Sequence, residues 1–126
     1  MSASVKEMLA AANATVARLK PAEVGKMVGA DDVLIVDVRD PSEVAASGKI
    51  KGAVNVSRGM LEFRADTDSP YHDPAFQKER RVVLYCASGG RAALAGKTLQ
   101  EFGYRSVFNG GGFRELADAG VATEVG

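Results

Sequence analysis

Two short apolar runs constrain this chain more than any other feature. Val33-Leu34-Ile35-Val36 is held between Asp32 and Asp37, and Val82-Val83-Leu84-Tyr85-Cys86 follows Arg80-Arg81. A strand with one wet face alternates apolar and polar residues, because successive side chains point to opposite faces. These runs do not alternate, so both faces of each strand must be covered. Both are short, rich in β-branched residues and bounded by charge, which favours a buried strand over a buried helix. A sheet buried on both faces needs a layer of helices on each side.

The intervening segments supply those layers. Residues 15–19 fit an edge strand, and Pro21 suits the first turn of a helix. Asp40-Pro41 opens a short helix that Gly48 ends. Residues 52–57 suggest a short strand and 58–64 one or two helical turns. Residues 65–76, polar and carrying two prolines, suggest a surface loop with His72 in it. Over 91–103, Ala92, Ala95, Leu99 and Phe102 recur at helical spacing, with Gly103 at the end. A last strand over 104–110 and a last helix over 111–120 complete the pattern. This alternation predicts a three-layer α/β domain over residues 15–126 with a mainly parallel sheet. Residues 1–14 form a mildly apolar segment, expected to be a helical extension outside the main fold.

Composition narrows the function. The 126 residues carry 16 basic and 16 acidic side chains, so no net field favours nucleic acid or an anionic membrane. No apolar stretch reaches the ~20 residues of a membrane span. One cysteine and one histidine argue against a structural metal site and fit a reducing, cytoplasmic setting.

In an open parallel sheet, ligands bind beyond the carboxyl ends of the strands. Cys86 lies there, and so does the segment from Asp37 to Arg39. After Cys86 come Ala87, Ser88, Gly89, Gly90 and Arg91, and then the helical pattern. Glycines let such a loop turn backbone N–H groups inward as an anion-binding nest. The helix start adds its positive dipole end, and Arg91 adds a formal charge. All three favour a thiolate over a thiol. The bland alternative is a small buried residue at a strand end.

The segments "CASGGRA", "VLIVDVRDPSEVAASGKIKGAVNV" and "SVFNGGGF", in this chain's order 33–56, 86–92 and 106–113, resemble the signatures of the rhodanese-like sulfurtransferases. The resemblance spans about residues 15 to 122. It implies a five-stranded parallel sheet flanked by helices, and a ping-pong reaction needing no metal or organic cofactor. Cys86 would take sulfane sulfur from a small donor such as thiosulfate. It would then pass that sulfur to cyanide, a cellular thiol or a sulfur-accepting protein. The backbone of Ala87 to Arg91 would cradle the anion. Lys49 and Lys51 replace a histidine and a proline of the family pattern, and Leu116 stands where a tryptophan is common; these departures bear on the donor rather than on the chemistry.

Asp37 is expected to hold the cysteine loop in shape, and Arg39 to form a capping or helical pair with Glu43, four residues on. Arg91 either clamps a donor anion or pairs with a carboxylate. Ser88 either caps the helix or bonds an oxyanion. His72 fits a solvated loop residue better than a general acid or base. Two other functions stay open: a phosphatase, whose loop would have five residues rather than four between cysteine and arginine, and a binding or sulfur-carrier module without turnover.

Overall fold

The computed structural model describes residues 3–126. Helix α1 (Val5–Thr15) leads into the edge strand β1 (Ala17–Arg18) and helix α2 (Pro21–Met27). Strand β2 (Val33–Asp37), helix α3 (Pro41–Ser47) and the short strands β3 (Lys49–Ile50) and β4 (Val54–Asn55) follow. A 3-10 turn (Arg58–Met60) and α4 (Leu61–Ala65) precede β5 (Arg81–Cys86). The chain closes with α5 (Gly90–Glu101), β6 (Ser106–Gly112), α6 (Phe113–Asp118) and β7 (Thr123–Glu124).

The main sheet has the order β1-β6-β5-β2-β4, and every pair in it is parallel. The two apolar runs are its central neighbours, with Val33 opposite Arg81 and Asp37 opposite Tyr85. Alternate residues of each run serve different cores. Leu34, Val36, Val82, Leu84 and Cys86 pack with Leu61, Leu99 and Tyr104 on one face. Val33, Ile35, Val83 and Tyr85 pack with Val24, Ile50, Phe113 and Leu116 on the other. This two-sided burial is why the runs lack alternation.

Several expectations change in detail. The strand over 52–57 shrinks to two residues, and β6 runs on to Gly112 instead of stopping at Gly110. An antiparallel ribbon of β3 with β7, absent from the sequence-based picture, sits beside the parallel sheet. The 65–76 segment is anchored by Phe76, which is 1% exposed and meets Tyr104 edge-on. The Tyr104 hydroxyl donates to Ala65 O, and burial pushes its ionisation up to about 12. Among the described residues, no helix is long and apolar enough to cross a membrane.

The N-terminal extension expected over residues 1–14 is helical from Val5, and residues 1–2 of it lie outside the described residues. Far from standing apart, α1 lies on α5: Ala12 is fully buried, and Val16, just after the helix, faces Gly96.

A Cβ placed on Gly96 would come within 2.8 and 3.1 Å of the two Val16 methyls. Gly-to-Ala in a helix interior ordinarily gains about 1 kcal/mol. Here the stiff, β-branched Val16 cannot step aside, and overpacking costs about 1–3 kcal/mol. Gly96→Ala is therefore expected to lower the urea midpoint, and adding Val16→Ala to recover part of the loss.

Candidate functional site

Cys86 ends β5, at the carboxyl edge of the sheet, in register with Gly112 of β6. It is a free cysteine, 1% exposed. Its Sγ accepts a hydrogen bond from the backbone N–H of Gly89 at 3.0 Å. Gly89 has φ 105°, a left-handed conformation open to glycine, and it is the N-cap of the 12-residue α5. The first N–H groups of a helix have no intrahelical acceptor, so the sulfur sits where backbone donors and the positive dipole end converge. Ala87 and Ser88 are exposed, Gly89 is buried, and Gly90 and Arg91 are half-buried. Ser88 does not cap the helix, because Gly89 occupies that position without a side-chain bond.

The loop is held from beneath by β6. Asn109 is 1% exposed; its Nδ2 donates to Gly89 O at 3.0 Å and its Oδ1 accepts from Gly111 N–H at 2.8 Å. The β5–β6 register slips between Leu84 and Tyr85, so Leu84 faces Asn109 while Tyr85 faces Gly111. That bulge takes Gly111 to φ 89°. Gly112 lies so close to the loop that a Cβ there would be 2.3 Å from Ala87 O. Asn109 escaped the sequence analysis. Its one signal was a polar residue inside a strand otherwise destined for burial, where such a group must find partners.

The charged residues pair differently from expectation. Asp37 is fully buried, and its carboxylate accepts from Arg39 N–H (2.9 Å), Nε (3.0 Å) and Nη2 (2.7 Å). Among the described residues its side-chain hydrogen bonds go to Arg39, not to the cysteine loop. Arg39 in turn leaves Glu43 alone: its Nη1 donates to Ser47 Oγ and its Nη2 to Gly48 O, both at 2.8 Å. The guanidinium lies 4.5 Å from the Phe113 ring centroid, a cation–π contact. Asn55 Nδ2 donates to the carbonyls of Asp37 and Arg39, tying β4 to this turn.

Glu43 instead takes Arg91. Arg91 Nη1 and Nη2 donate to its two oxygens at 2.7 and 3.0 Å, a bidentate fork. The hydrogen bond from Arg91, helped by the Asp40 N–H, holds the Glu43 carboxyl down to about 2. Of the two roles open to Arg91, the carboxylate pair is the one formed; it ties the start of α5 to the start of α3. His72 is half-buried, its Nε2 3.2 Å from Phe76 O within its own loop.

The geometry defines a class: an α/β protein whose lone thiol accepts a backbone N–H at the head of a helix, at the sheet's carboxyl edge. The family model of the rhodanese-like domain matches residues 20–119. The chain belongs to the rhodanese-like family. A sulfurtransferase of Allochromatium vinosum is 33% identical over 84 residues, 67% of this chain and 70% of that protein. The polysulfide-sulfur transferase homodimer of Wolinella succinogenes is 34% identical, with TM-score 0.73, covering 94% of this chain and 85% of that one. A Rhodopseudomonas palustris protein of unknown function, described as a possible tyrosine phosphatase, is 44% identical with TM-score 0.91, covering 98% of this chain and 96% of that one.

Asp37→Ala would leave the Arg39 guanidinium buried without its counter-charge, which is expected to cost about 3–5 kcal/mol in urea unfolding. The Glu43–Arg91 pair is half-exposed and worth less. Its sign follows from a lowered carboxyl: the pair stabilises above the ordinary glutamate value of 4.5 and fades as pH falls toward about 2. The stability difference between the native chain and Glu43→Gln is therefore expected to be flat from neutral pH to about 5 and to shrink below it.

Proposed function

We propose that this protein is a sulfurtransferase that carries sulfane sulfur on Cys86. The observation that carries the reading is the Gly89 N–H directed at Sγ, at the head of α5. A donated N–H and a helix start both favour a sulfur that bears negative charge, whether thiolate or persulfide. The Cys86 thiolate attacks the outer sulfur of thiosulfate. The Sγ–S bond forms, the donor S–S bond breaks, and sulfite leaves with the bonding electrons. Cyanide or a thiol then attacks the outer sulfur of the Cys86 persulfide, forming thiocyanate or a new persulfide and regenerating the thiolate. The near-complete burial of Cys86 favours a donor with a slender, terminal reacting atom. Ala87 and Ser88, exposed at the rim, are the residues a donor meets first, while Gly89, Gly90 and the Arg91 amide form the floor. The reading includes a cytoplasmic, reducing setting, which keeps the free thiol available to donors.

The name of the Rhodopseudomonas palustris neighbour brings a second reading, phosphoryl transfer. Two features weigh against it. Four residues separate Cys86 from Arg91, a small ring for a tetrahedral phosphate. A phosphate clamp also needs a free arginine fork, whereas Arg91 points its Nη1 and Nη2 at Glu43.

Intact mass after incubation with thiosulfate separates the readings. Sulfur transfer predicts a gain of ~32 Da, reversed by cyanide and lost in Cys86→Ser. Hydrolysis of an aryl phosphate, with no sulfur uptake from thiosulfate or an organic persulfide, would overturn it.

A further inference from the structure

Arg18 ends the edge strand β1, opposite Asn109 of β6. Its guanidinium rests in a notch made by two glycines that both have positive φ. A Cβ on Gly89 would lie 2.7 Å from Nη1, and a Cβ on Gly111 would lie 3.0 Å from Nη2. Gly89 is the residue whose N–H bonds Cys86 Sγ at 3.0 Å. Ordinary bond lengths then bring Nη1 within about 8 Å of the sulfur.

The three arginines around the loop are held very differently. Arg39 is buried against Asp37, and Arg91 is forked onto Glu43. Arg18 meets Glu115 through one contact of 3.3 Å, with the two side chains 51% and 53% exposed. An exposed single contact of this kind is weak and readily exchanged. Glu115 occupies the same notch: its Oε1 lies 2.7 Å from the position of a Gly111 Cβ.

We propose that Arg18 is a specificity residue that favours anionic donors at Cys86, with Glu115 as the internal carboxylate that competes for it. The proposal rests on the sulfur-transfer reading and adds the residue pair that selects the donor's charge. An incoming thiosulfate or polysulfide anion takes the place of Glu115 on the guanidinium as its terminal sulfur reaches Sγ.

The single cysteine allows a test that does not depend on turnover, because the alkyl adduct that is lost in Cys86→Ser reports Cys86. The rate ratio of iodoacetate to iodoacetamide, followed by intact mass at low ionic strength, measures the charge preference at the sulfur. A unit charge about 8 Å away changes an anion's rate by about 3- to 30-fold. Arg18→Gln is expected to lower the ratio by that factor, Arg18→Lys to preserve it, and Glu115→Gln to raise it. Added salt should shrink all three differences. The KM for thiosulfate should follow the same order, rising in Arg18→Gln with little change in kcat. Equal ratios in native, Arg18→Gln and Glu115→Gln proteins would overturn the proposal. Absence of sulfur uptake by the native protein, with the ratios still ordered, would overturn the sulfur-transfer reading and leave Arg18 as a charge selector at a reactive thiol.

Discussion

The buried pair of Asp37 and Arg39 is the interaction on which the rest of this structure depends. A carboxylate and a guanidinium, fully and almost fully buried, are tolerable only if their hydrogen-bonding capacity is met. Meeting it draws in the end of β2, the last turn of α3 through Ser47 and Gly48, and the Phe113 ring at the start of α6. Asn55 adds β4 by bonding the carbonyls of both residues. The pair thus fixes the angle at which three connections leave one edge of the sheet. With α3 so placed, Glu43 faces Arg91, and the start of α5 is held where the N–H of its N-cap, Gly89, meets Cys86.

The cradle is therefore built from outside inward. Among the described residues, Asp37 makes no side-chain hydrogen bond to the cysteine loop; it acts through Arg39 and α3. Asn109 does touch it, through the Gly89 carbonyl, and fixes that peptide so that its neighbouring N–H points at the sulfur. Removing a polar group from either layer would leave a buried partner unsatisfied, a larger penalty than the net worth of the bond itself. This arrangement lets a loop of small residues keep one conformation with little side-chain packing of its own.

Much of this was legible in the sequence because burial leaves a periodic trace. The central strands declared themselves by apolar runs without alternation, and α5 by its 3.6-residue spacing. The cysteine loop was legible because its chemistry is local: thiol, glycines and helix start follow one another in the chain. What escaped was non-local. Glu43 and Arg91 are 48 residues apart, and Asn109 and Gly89 are 20 apart, so no spacing rule joins them. The pairing expected of Arg39 with Glu43 failed for a related reason. Four-residue spacing makes two side chains neighbours on a helix, but Arg39 precedes α3, where the backbone is not yet helical and its side chain folds back onto Asp37. The β3–β7 ribbon, two residues on each side, is too short to leave any pattern.

The β6 bulge makes the length of one strand a chemical parameter. Between Asn109 and Phe113 the chain has three glycines, one more than a regular parallel ladder would use opposite Leu84 and Tyr85. Losing Gly110 would leave Tyr85 opposite Gly111 and Cys86 opposite Gly112, and would remove the bulge between these pairs and Leu84–Asn109. The left-handed turn at Gly111 would go with it, and so would the two-residue reach by which Asn109 Oδ1 accepts from the Gly111 N–H. The triplet Gly110-Gly111-Gly112 thus works as slack in the strand, freeing Asn109 to serve the cysteine loop while the residues beyond it keep step with β5.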